Sequence, residues 1–172
     1  SIPLRNTRFV ATATLRLAKN RSYFLNKANK ILPLEIKLLT GEQEAETIYG
    51  GVAHTCKSNS INTRLVIDIG GASTELIIGQ GFTASKAISL DLGCVSYREQ
   101  YFNDGKLIEK NFKTAIDSAK HIIKPNTDTF INYRWQSVLG SSGTIRALAE
   151  VLSYRNQAII ITTDFLQEVK QI

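Results

Sequence analysis

Methionine is absent from the 172-residue chain, which opens on Ser1. A complete gene product normally starts with methionine, so the expectation is an internal fragment of a longer protein. Histidine and cysteine are scarce, with only His54, His121, Cys56 and Cys94. Their spacings match no zinc-ligand pattern. Two isolated cysteines read as reduced, unpaired thiols of a cytoplasmic protein. No apolar run approaches the roughly 18 residues of a membrane-spanning helix. Ser1-Ile2-Pro3-Leu4-Arg5-Asn6 lacks the basic-then-apolar order of a signal peptide. Low-complexity tracts and internal repeats are missing too. The expectation from these absences is a globular protein with no disulfide framework, zinc site or membrane-spanning segment.

Hydrophobic residues make up 43% of the chain and charged residues 21%, enough apolar side chain for a core. The net charge of +6 favours an anionic partner. The basic residues are scattered (Arg5, Arg8, Arg16, Lys19, Arg21, Lys27, Lys30), with no dense stripe and no interleaved aromatics. That pattern speaks for a solvated basic surface or a phosphate metabolite, and not for a nucleic-acid face.

Hydrophobic periodicity predicts alternating strands and helices. Arg8 to Ala13 reads as a strand and Thr14 to Ile31 as a helix with Leu17, Phe24, Ala28 and Ile31 on one face. Pro33 closes that helix, and Glu35 to Leu39 is a second strand. Thr40-Gly41-Glu42-Gln43 is a capping box, opening a helix whose apolar stripe is Ala45, Ile48, Tyr49, Val52 and Ala53. Polar Lys57 to Asn62 reads as a loop. Strands follow at Leu65–Ile69, Thr74–Ile78 and Ala84–Leu90. Then come a helix at Glu109–Ile123, a strand at Gln136–Leu139, a turn at Gly140–Gly143, and helices at Thr144–Leu152 and Thr163–Ile172. This is an α/β pattern, with the chain dividing near Thr40.

Four constellations could carry chemistry. In Asp68-Ile69-Gly70-Gly71-Ala72-Ser73-Thr74-Glu75, Asp68 is a carboxylate inside an apolar strand, costly to bury without a cation, water or donor network. Gly70 and Gly71 would let the backbone amides approach a ligand, Ser73 adds a donor, and Glu75 is a second carboxylate at the same mouth. A plain hairpin accounts for the glycines but not for Asp68. Gly140-Ser141-Ser142-Gly143-Thr144 joins a strand to a helix, where free amides and the helix dipole attract phosphate; an ordinary capped turn is the alternative. Glu44, four residues before Ile48, lies along the inward stripe and suits a general base, or else is simply a first-turn acid favoured by the dipole. Arg16 could fork onto phosphate oxygens, or lie on the surface.

Several segments in register resemble the exopolyphosphatase/guanosine pentaphosphate phosphohydrolase family. They are Val10 through Ala18, Gly41-Glu42-Gln43-Glu44-Ala45, Asp68 through Leu76, Leu92-Gly93-Cys94-Val95-Ser96 and Gly140 through Ala147. Gly71-Ala72-Ser73, Ala11 through Arg16 and Gly51-Val52-Ala53-His54-Thr55 look more like the guanosine pentaphosphate branch.

The resemblance implies an actin-like, ribonuclease-H-like α/β fold of two lobes. It also implies Mg²⁺-assisted hydrolysis of the 5′-terminal phosphate of guanosine pentaphosphate, or of polyphosphate. By motif, Glu44 matches the water-activating base and Asp68 and Glu75 the acids around the metal. Gly70, Gly71, Ser73, Gly140, Ser141, Ser142, Gly143 and Thr144 match two phosphate loops, and Arg16 a phosphate-contacting arginine. The family opens with an Asp-x-Gly-Ser-Asn-Ser loop that is absent here, and it continues past the position of Ile172. The expectation is therefore the end of lobe I (1–40) joined to most of lobe II (41–172), nearly inactive alone. Expected partners are small anions, with neither nucleic acid nor membrane, and a homodimer is among the assemblies the full-length protein allows. An actin-like kinase and a non-catalytic alarmone-binding module are the rivals.

Overall fold

A computed structural model describes residues 2–56 and 62–170. The loop read at Lys57–Asn62 falls almost wholly outside the described residues, as do the last two positions of the terminal helix. After a short 3₁₀ turn at Leu4–Asn6, the elements are β1 (Phe9–Ala11), α1 (Ala13–Leu17), α2 (Arg21–Ala28), β2 (Ile36–Leu38) and α3 (Gly41–Thr55). Then follow β3 (Thr63–Ile69), β4 (Thr74–Gln80), β5 (Thr83–Leu90), α4 (Cys94–Tyr101), α5 (Glu109–Ile131), β6 (Ser137–Ser141), α6 (Ser142–Tyr154) and α7 (Thr163–Val169).

β1 and β2 pair in parallel as a sheet of their own. The other strands form a four-stranded sheet ordered β5-β4-β3-β6, antiparallel in the meander and parallel between β3 and β6. Side chains alternate across a strand, so each strand of the meander feeds two cores. Val66 and Ile77 pack on Ala45, Tyr49 and Ala53 of α3. Leu65 and Ile78 pack on Phe130 of α5. The α3 stripe read from the sequence is thus the face that buries, and the predicted capping box is present, with Thr40 and Gln43 each bonding the other's backbone amide.

The helices differ from expectation in three places. The helix predicted over Thr14–Ile31 is broken, because Ala18 turns to extended backbone (φ −65°, ψ 128°). Leu17 and Phe24 of its supposed inner face are half-exposed, so no burial holds the two short pieces in line. α5 runs on past Ile123 and through Pro125 to Ile131. An interior proline costs about 3 kcal/mol; packing of the buried Phe130 with Leu65 and Ile78, beside Trp135, offsets it. α4 has no clear apolar period and was not anticipated. Its first amides are tied down instead: the Cys94 N–H donates to the Gly70 carbonyl, and those of Val95 and Ser96 to the Gly71 carbonyl.

Gly140 and Ser141 belong to β6, and α6 begins at Ser142, where a turn was expected. Both cysteines are free thiols, Cys56 half-buried and Cys94 exposed. Among the described residues no helix is long and apolar enough to cross a membrane.

Candidate active site

The strand register brings the acids together. Asp68 lies opposite Glu75 across β3 and β4, and Glu75 lies opposite Ser89 across β4 and β5. Asp68 has the parity of Val66 and Glu75 that of Ile77, so both side chains emerge on the face covered by α3. That face also receives the first turn of α3, which carries Glu44. The negative charges of Glu44 and Asp68 both push the Glu75 pKa upward.

Glu75 is the most deeply set, only 1% exposed. Burial is the main cause of its raised pKa, and hydrogen bonds from Ser89 and Ser73 partly counter it. The Ser89 hydroxyl donates to Glu75 Oε1 at 2.7 Å. Asp68 is 7% exposed, and no donor among the described residues reaches its carboxylate. Glu44 is held from the other side by Arg16, whose Nη1 lies 2.9 Å from Glu44 Oε2. The same nitrogen donates to the Leu39 carbonyl at 2.9 Å. The Arg16 side chain therefore crosses from α1 to α3, with its other guanidinium nitrogens left to donate elsewhere.

The turn Gly70–Ser73 closes with a hydrogen bond from the Gly70 N–H to the Ser73 carbonyl, 2.9 Å. Its back is fixed by α4 through the amides described above. Gly93 makes that approach possible: a Cβ there would lie 2.4 Å from the Gly71 carbonyl carbon and oxygen. At Gly71 itself the protein has no steric need of glycine, since a Cβ would meet Val95 at an ordinary 3.4 Å. Gly143 has nothing within 4 Å of such a position. Neither has a positive φ. Gly143 leaves open space, whereas at Gly71 the Val95 side chain already stands at contact distance.

The head of α6 adjoins the same turn. Ser141 lies opposite Asp68 in the β3–β6 register, and Ser142 Oγ is 4.0 Å from where a Cβ on Gly70 would stand. Ser142 has φ 75°, a strained value for a residue with a side chain. No side chain caps the helix start, and the buried Thr144 Oγ1 has no hydrogen-bond partner. Gly140 faces away from the acids, giving room to Ile145. An apolar cavity of about 1040 Å³ lies behind it, between β6, α6 and Ile159–Ile161, with Gly140–Gly143 at its rim.

The structure thus gathers Arg16, Glu44, Asp68, Glu75, Gly70, Gly71 and Ser73, with Ser141 and Ser142 alongside. Sequence reasoning missed Ser89, a serine in a strand that no pattern singles out, and gave no role to Gly93, although Leu92–Ser96 is among the segments that resemble the family.

No group of three or more His, Cys, Asp or Glu side chains able to hold a metal occurs among the described residues. That does not exclude Mg²⁺, which commonly binds through one or two carboxylates, substrate phosphates and water. The donor-poor Asp68 beside Glu75 fits such a pair.

The sequence model of the Ppx/GppA phosphatase family matches residues 1–172. Guanosine-5′-triphosphate,3′-diphosphate pyrophosphatase of Vibrio parahaemolyticus is 47% identical over 99% of this chain. The protein of that name from Photobacterium profundum is 45% identical over the same share. The chain spans 34% of the length of each. Among solved structures, the Aquifex aeolicus PPX-GPPA enzyme superposes with a TM-score of 0.65 at 28% identity, over 86% of this chain and 47% of that one. An exopolyphosphatase from Cytophaga hutchinsonii shares the fold, with a TM-score of 0.74 at 20% identity over 94% of this chain and 55% of that one.

Proposed function

The chain belongs to the Ppx/GppA phosphatase family, and from that premise we propose that the intact protein hydrolyses guanosine pentaphosphate to the tetraphosphate and phosphate. The observation that carries this reading is the placement of Glu44 and Asp68 within electrostatic reach of Glu75, beside the Gly70–Ser73 turn and a helix head where Gly143 leaves open space. The relatives at 45–47% identity bear the name of that activity.

In this reading Glu44 takes a proton from a water aligned with the terminal phosphorus. The water oxygen bonds to that phosphorus as the bond to the bridging oxygen breaks, and the leaving oxygen remains on the penultimate phosphate. Arg16 Nη1 keeps Glu44 in place while Nε and Nη2 donate to the terminal phosphate. Amides of Gly70–Ser73 and of the α6 head, with the hydroxyls of Ser142 and Thr144, receive the remaining oxygens. The strain at Ser142 is of the kind a site stores when its backbone is set for a ligand. Asp68 and Glu75 would hold Mg²⁺, which when bound neutralises phosphate charge. Phosphoryl transfer of this type needs mainly position and electrostatics.

The same reading makes residues 1–40 the end of one lobe and 41–172 most of a second, supported by the separation of the β1–β2 pair from the larger sheet. It places the protein in the cytoplasm, where guanine nucleotides and Mg²⁺ are available.

The test is phosphate release by the full-length protein from guanosine pentaphosphate with Mg²⁺ and no acceptor. Release with a kcat/KM well above that for long-chain polyphosphate is the expected result. The reverse preference would make it an exopolyphosphatase. Binding without release would make it an alarmone-binding module, and a requirement for an acceptor would make it a kinase.

A further inference from the structure

We propose that Ser89 is a positioning residue for this hydrolysis, acting through Glu75 and setting the distance between Glu75 and the helix that bears Glu44. The inference rests on the functional reading above and adds a residue to it. Glu75 is almost fully buried and lies within electrostatic reach of two other carboxylates, Glu44 and Asp68. Its donors are neutral hydroxyls: Ser89, at 2.7 Å to Oε1, and Ser73. A carboxylate so placed has every electrostatic reason to rotate away from its neighbours. The Ser89 hydroxyl, fixed opposite it in the strand register, pins one oxygen and so directs the other.

Ser89 also touches the second half of the site. A Cβ on Gly41, the first residue of α3, would lie 2.5 Å from Ser89 Cβ and 3.1 Å from its Oγ. The helix start therefore rests directly on Ser89, and Gly41 is the residue that permits it. Glu44 follows within the same turn of helix, bonded to Arg16. One small side chain thus contacts both the start of the helix that carries Glu44 and the carboxylate of Glu75. Any larger residue at either position would separate them.

The test is a double-mutant cycle in the full-length protein with Ser89→Ala, Glu75→Gln and the pair. Ser89→Ala is expected to lower kcat for guanosine pentaphosphate about tenfold, the scale of one lost hydrogen bond to a charged group, with KM within about twofold. The pair should be no slower than Glu75→Gln alone. Calorimetry without nucleotide should show Mg²⁺ binding weakened several-fold in Ser89→Ala, while its melting midpoint confirms a folded protein. Should that variant not fold, Ser89→Gly, which removes the donor without adding bulk, goes through the same cycle. A tenfold loss that persists on the Glu75→Gln background would reduce Ser89 to a structural residue and overturn the proposal. So would unchanged kcat and unchanged Mg²⁺ binding. If the wild type releases no phosphate, the functional reading falls, while the calorimetric comparison still decides the case for Ser89.

Discussion

A carboxylate such as Glu75, sealed from water and facing two others, resists ionisation. Its pKa is raised in the folded protein by burial, by Glu44 and by Asp68. The folded state then binds more protons than the unfolded chain as pH climbs out of the ordinary carboxylate range. Stability is consequently highest below that range and declines as pH rises toward the elevated folded value. Glu75→Gln removes the liability, so in EDTA at neutral pH it is expected to raise the melting midpoint by about 2–4 °C, roughly 1 kcal/mol at this size. The gain should vanish near pH 4, and a scanning calorimeter run at both values checks it. Glu44→Ala in the full-length protein is expected to lower kcat by about 10²–10⁴, the usual range for a lost general base; steady-state phosphate release is the measurement. Glu44 and Asp68 were legible because each breaks a hydrophobic pattern at a defined offset. The Arg16–Glu44 pair was not, since α1 and α3 meet only in three dimensions.

Capping chemistry and stripe spacing made α3 readable to the residue at its start. α5 was readable only to its middle, because Pro125 is a local stop signal that tertiary packing overrides. Everything beyond the proline depends on Phe130, so Phe130→Ala is expected to cost about 3–5 kcal/mol. Hydrogen exchange should then rise first in Asn126–Ile131. Gly93→Ala would push α4 off the Gly70–Ser73 turn, since the new methyl would coincide with the Gly71 carbonyl. We expect a loss of about 1–3 kcal/mol, the range for an overpacked contact, read by urea unfolding. The α6 head was legible as a strand-to-helix junction, but strand and helix abut at Ser141–Ser142 with no separate turn, and the strained Ser142 leaves no trace in composition.

At the scale of the molecule, the α/β class followed from the order of strands and helices, while the sheet order β5-β4-β3-β6 needed coordinates. Register is a long-range property: Asp68 meets Ser141 only because β6 returns beside β3. Large apolar side chains stay open on Val10, Leu17 and Phe24 and again on Ile159 and Ile160. The 172-residue chain by itself is expected to release phosphate at least about 10²-fold more slowly than the full-length protein, consistent with the scale of lost positioning. Comparable turnover of the two would show that these residues suffice.

Because the carbonyls of Gly70 and Gly71 are bound by amides at the start of α4, the turn cannot take its final shape from the β3–β4 hairpin alone. The hairpin can zip early, from local contacts, but its tip must wait for β5 to cross and for Cys94–Ser96 to arrive. The Gly70–Ser73 turn is therefore a late-folding part of an early-folding hairpin, and in a refolding experiment followed by pulsed exchange the Cys94–Ser96 amides that bind it would be protected after those of Leu65–Ile67.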